Sequence, residues 1–101
     1  MSAPTRSLFE LGRVVITPGA LEATTDEQRC GHLHRHSLGD WGCVDEEQAE
    51  LNAYSLKTGH RILSAYPIDP SKPYKDYGDN TLWIITEGNR RVTTLLLPWE
   101  H

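Results

Sequence analysis

Between Leu8 and Ile16 the chain is apolar around Gly12, and Arg13-Val14-Val15-Ile16 concentrates β-branched residues, which predicts a short strand. Thr17 then offers a capping hydroxyl and Pro18 suits a first helical position, so a short helix should run from Pro18 to about Ala23. Thr25 and Gln28 have capping-box spacing and open a second helical piece toward Arg35. Two glycines in Ser37 to Gly42 predict a loop. From Asp45 to Gly59 the apolar residues recur at helical spacing, with Ala49, Ala53 and Leu56 as the stripe and Leu51 and Tyr54 widening it. Asp45 and Gln48 are placed as a second capping box, and Gly59 is placed to end that helix.

After Gly59 the period changes to two. Strands are predicted at Arg61 to Tyr66, Leu82 to Thr86 and Arg91 to Leu97, the last two joined by the Gly88-Asn89 turn as an antiparallel hairpin. Pro67 to Asn80 is a long, proline-rich connection, and Pro98 stops the final strand. Residues 1–7 are polar and predict a flexible arm; residues 8–101 predict a single α+β domain. The expected order is β-α-α-β-β-β, with the N-terminal strand and helices packed on one face of a small antiparallel sheet.

Composition narrows the function without naming it. The chain has 101 residues and a formal net charge of −4, and no apolar run approaches the roughly 18 residues a membrane span needs. A cytoplasmic protein is expected, with Cys30 and Cys43 as reduced thiols rather than a disulfide framework. Residues 1–50 carry nine acids and four bases, and the acidity gathers in Asp45, Glu46, Glu47 and Glu50. Such a balance argues against a protein that coats nucleic acid through bulk positive charge.

Candidate chemistry begins in His32-Leu33-His34-Arg35-His36. Three histidines at alternate positions can hold a metal with Asp40, Cys30 or Cys43 as a further ligand, or can simply complement the negative end of a helix; no metal and no cofactor is assigned. His36 lies four residues before Asp40, so a carboxylate can orient an imidazole for general acid–base work; the plainer reading is a structural histidine and a turn-capping Asp40. Arg61 can grip a phosphate or simply start a solvated strand. Ser64 and Tyr66 share the opposite strand face, and Thr86, Glu87, Arg90, Arg91, Thr93 and Thr94 are the polar residues of the hairpin. There is no P-loop, no GxGxxG, no GxSxG elbow and no CxxC pair.

The segments RHxxGDWG (Arg35 to Gly42), RILSAY (Arg61 to Tyr66) and WIITE to VTTLLLP (Trp83 to Pro98) resemble a small uncharacterised bacterial family whose members are often labelled plasmid-related proteins. His32, His34 and both cysteines stand outside that pattern, and the stretch from Pro70 to Tyr77 is longer than usual for it. The predicted architecture also resembles the barnase, RelE and colicin group of small nucleases. That likeness implies metal-independent RNA cleavage by 2′-hydroxyl attack. His36 with Asp40 would then move the proton, Arg61 and Thr93 would stabilise charge, and Arg35, Ser64, Tyr66, Arg91 and Thr94 would contact RNA. The competing expectation is a non-enzymatic binding protein of a mobile element, inhibiting or neutralising a protein partner through its acidic helix. A nuclease needs His36, Arg61 and Thr93 or Thr94 in one cleft, whereas a binder needs a broad acidic or apolar patch.

Overall fold

A computed structural model describes residues 7–74 and 80–101. Most of the expected arm, and the 75–79 part of the expected long connection, lie outside the described residues. The elements are β1 (Arg13–Ile16), α1 (Pro18–Ala23), α2 (Asp26–Ser37), α3 (Glu46–Thr58), β2 (Ile62–Pro67), β3 (Thr81–Thr86), β4 (Val92–Leu96) and a terminal 3-10 turn (Pro98–Glu100). The chain is α+β, with a four-stranded sheet in the order β1-β4-β3-β2. Two features differ from expectation. All three expected helical segments separate β1 from β2, one more than the order β-α-α-β-β-β counts, and β1 joins β4 in parallel, so the sheet is mixed. A parallel neighbour is possible because most of the chain, helices included, intervenes between the two strands.

Local signals act as expected at most helix ends. The Thr17 hydroxyl accepts from the Ala20 amide, and Thr25 and Gln28 form a complete capping box. Asp45 caps α3 through the Gln48 amide, but the Gln48 side chain does not close the second box; it donates to Asn52 Oδ1 instead. Gly59 ends α3 in the left-handed region at φ 77°.

Alternation of side chains gives the sheet two unlike faces. One carries Ile62, Ser64, Tyr66, Leu82, Ile84, Thr86, Thr93 and Leu95, all fully buried. Helices α1 and α2 cover it, with Ala20 and Leu33 packed on the Tyr66, Leu82, Ile84, Leu95 and Leu97 cluster. Burying each such aliphatic side chain contributes about 1.5–3 kcal/mol. The other face carries Leu63, Trp83, Ile85, Thr94 and Leu96, and holds two adjoining hollows of about 230 and 280 Å³. Among the described residues no helix is long and apolar enough to cross a membrane.

Helix α3 lies along the outer edge of β2 and is attached there by polar groups. Asn52, fully buried, accepts from the Leu63 amide (3.1 Å) and donates to the Leu63 carbonyl (2.7 Å). Only Asn52 and Ser55 of this helix are buried. The expected apolar stripe is therefore divided: Ala49 and Leu56 are half-buried, whereas Ala53 is exposed and Leu51 and Tyr54 are 51% and 59% exposed.

Candidate functional site

His36 sits in the last turn of α2 and reaches down onto the covered face of the sheet. It is fully buried, boxed by Phe9 (5.2 Å between ring centres) and Trp41 (6.0 Å), both edge-on. Nδ1 meets the Ser64 hydroxyl, Nε2 meets the Thr86 hydroxyl at 2.8 Å, Thr86 meets Thr93 at 2.8 Å, and Thr93 donates to the Leu11 carbonyl at 2.7 Å. The end of this chain fixes its direction. A carbonyl only accepts, so Thr93 donates to it and must accept from Thr86; Thr86 in turn accepts from Nε2–H. Nδ1 is then the bare nitrogen and accepts from Ser64. Every proton is placed with the imidazole neutral. Burial, and behind it the positive charge of Arg90, pushes the His36 pKa down to about 3.

Ser64 donating to an imidazole has the form of an activated nucleophile. Here Ser64, His36, Thr86 and Thr93 are all buried with no exposed surface, so the constellation is a polar brace between α2, three strands and the Leu11 backbone.

Asp40 lies on the other side of α2's end. Its carboxylate takes Arg35 in a forked pair, Nε to Oδ2 at 2.7 Å and Nη2 to Oδ1 at 3.2 Å, and also accepts from the Gly42 amide. The hydrogen bond from Arg35 holds the Asp40 carboxyl below its ordinary range. Asp40 therefore pairs with Arg35, while the His36 nitrogens are taken by hydroxyls. Arg35 stacks over the Tyr66 ring at 4.8 Å, His32 stacks on that ring at 4.5 Å, and the Tyr66 hydroxyl donates to the Asp40 carbonyl. Burial raises the Tyr66 pKa, leaving the phenol protonated. Arg35, Asp40 and Tyr66 thus lock the Gly39–Gly42 loop onto β2. Gly42 itself has φ 74°, and a Cβ there would overlap the Ala65 carbonyl oxygen.

Arg61 and Thr94 are on the uncovered face, where they line one hollow with Ile85, Leu96 and Glu87. Arg91 is exposed beside the hairpin turn. The sequence-derived set is thereby divided. His36, Ser64 and Thr93 form one buried chain; Arg35, Asp40 and Tyr66 form a second group; Arg61 and Thr94 lie across the sheet, and Arg91 stands apart. His36 and Arg61 do not share a cleft. The three histidines share helix α2, but both nitrogens of His36 are occupied, and no metal-holding group of three or more His, Cys, Asp or Glu occurs among the described residues.

Two features that the sequence names acquire their structural setting only here. Arg90 adopts φ 62° and donates to the His60 carbonyl (2.7 Å) and to the Ser55 carbonyl (2.8 Å), fastening the hairpin turn to the C-terminal end of α3. Sequence marks Arg90 only as a polar residue of the hairpin, because its carbonyl partners lie 30 and 35 residues away. The second is the exposed side of α3, where Glu47, Glu50, Leu51 and Tyr54 fall at i, i+3, i+4 and i+7. The acidic helix is the contact face expected of a binding protein; that its acids border an exposed Leu and Tyr is visible only in the structure.

No family model, no curated protein and no solved structure matches this chain.

Proposed function

We propose that this is a non-enzymatic binding protein, acting in the cytoplasm, that engages a protein partner through the outer side of α3. One observation carries the reading: α3 buries only the polar residues Asn52 and Ser55 and leaves Leu51 and Tyr54 exposed beside Glu46, Glu47 and Glu50. An exposed Tyr and Leu with an acidic border fits a partner that is apolar at the centre of its contact and basic around it. Inhibition or neutralisation of that partner by occlusion needs no chemistry from this chain. RNA cleavage by His36 is the less favoured reading, since its imidazole is buried, neutral and separated from Arg61 by the sheet.

The test compares immobilised wild type with a Glu47→Lys/Glu50→Lys/Tyr54→Ala variant whose fold is verified by circular dichroism. Wild type should retain a discrete basic protein from host extract at low salt, and the variant should lose it. Equal retention by both, or none by either, overturns the proposal. Total RNA incubated with each protein should stay intact; cleavage by wild type that His36→Ala abolishes would return the nuclease reading to first place.

A further inference from the structure

The sheet has two edges, and the fold treats them differently. Along β2 the outward groups are taken: Asn52 holds the Leu63 amide and carbonyl, Ala65 donates to the Trp41 carbonyl, and the Cys43 amide donates to the Ala65 carbonyl. Side-chain and loop cover of this kind keeps a strand edge from recruiting another strand. Along β1 there is none. The Arg13 amide donates to Arg91 and the Thr17 amide to Leu95, so residues 13, 15 and 17 point their backbone groups at β4. Val14 and Ile16 therefore direct theirs outward, and no described residue meets them. Neither carries a charge, a proline or a bulge, and the two residues are 39% and 38% exposed.

We propose that β1 pairs with β1 of a second copy of this chain, antiparallel about a two-fold axis at Val15, giving a continuous eight-stranded sheet. In that register Val14 of each copy exchanges both backbone hydrogen bonds with Ile16 of the other, and Val15 faces its own counterpart. What selects a second copy over an arbitrary extended peptide is charge. Arg13 comes to lie opposite Thr17 of the other copy, on the uncovered face, with side chains about 4.5–5.5 Å apart at Cβ. Thr17 remains extended (φ −71°, ψ 156°), and its hydroxyl donates at 2.6 Å to the Glu100 carboxylate. That carboxylate also receives the Gly19, Ala20 and Leu97 amides, and neither it nor Arg13 has an ion-pair partner among the described residues. Two-fold pairing thus brings an unpaired cation to an unpaired anion twice. It leaves both α3 helices at the far ends of the joined sheet, free for the contact proposed above, on which this inference does not depend.

Sedimentation of the full chain from about 5 to about 500 µM should show a monomer–dimer equilibrium. Val14→Pro removes one outward amide and no bond inside the sheet, so it should fold as wild type and raise the dimer dissociation constant at least about tenfold. Arg13→Glu should weaken the dimer at about 0.05 M salt and much less at about 0.5 M. Under mild oxidation Val15→Cys should form an intermolecular disulfide between the two introduced thiols, located by peptide mapping, because opposed residues of a non-hydrogen-bonded pair lie within bridging distance. A monomer at every concentration overturns the proposal. So does a dimer that Val14→Pro leaves intact and Val15→Cys does not cross-link.

Discussion

His36 is stable where it lies only as a neutral base, and this has a measurable consequence. Its pKa falls from 6.5 in the unfolded chain to about 3 in the folded one, so between those values the unfolded state binds more protons. The stability it confers is complete above about pH 6.5 and declines as pH falls toward 3, by up to about 1.4 kcal/mol per pH unit. Denaturant titrations at pH 7 and pH 4.5 should differ accordingly. His36→Ala should lower stability at pH 7 by about 2–4 kcal/mol, from the cavity and the unpaired hydroxyls, and should flatten that pH dependence. A variant as pH-sensitive as wild type would assign the effect to other groups. Gly42→Ala should cost at least about 2 kcal/mol in the same assay, since the left-handed backbone and the Ala65 carbonyl both exclude a Cβ.

Helix α3 shows how an element can be well formed and weakly buried. Its caps and its i, i+4 contacts are local, and its anchorage rests on Asn52 against β2 and on Arg90 against its last carbonyls. Asn52→Ala removes both hydrogen bonds to Leu63 and should destabilise the protein by about 2–4 kcal/mol, read as a shift in the denaturation midpoint. It also uncovers the β2 edge, so that variant should aggregate on heating at concentrations where Leu51→Ala, on the exposed side, does not. Equal behaviour of the two variants would mean that Asn52 is not what holds the helix.

Taken whole, the molecule separates its polar chemistry from its surface. Ser64, His36, Thr86 and Thr93 sit inside, where a completed hydrogen-bond chain defines how α2 meets the sheet. The exposed features are an acidic, partly apolar helix at one side and an open strand edge at the other. A partner held through Glu47 and Glu50 should associate faster at low ionic strength, with most of the salt effect in the association rate rather than in dissociation. Stopped-flow or surface-based kinetics on the captured partner would show the opposite pattern if the contact is mainly apolar.

Local information was enough for the elements. Thr17, Thr25, Asp45 and Gly59 mark helix ends because capping and left-handed backbone depend on residues within one turn, and the β-branched runs mark strands for a similarly local reason. The α+β class and the β3–β4 hairpin follow from their order. Partnership between distant segments did not follow. Whether β1 would lie parallel to β4, or whether Leu51 or Asn52 would face inward, depends on how three helices return the chain to the sheet. The apolar spacing of α3 suggested a core helix, yet that helix meets a strand edge, whose unpaired amide and carbonyl require a polar side chain rather than Leu or Tyr. In the same way the odd spacing of Arg61 and Ser64 already put them on opposite faces of one strand. Only the packing of α2 decided that His36 would join Ser64, bury its ring and leave Arg61 on the far side.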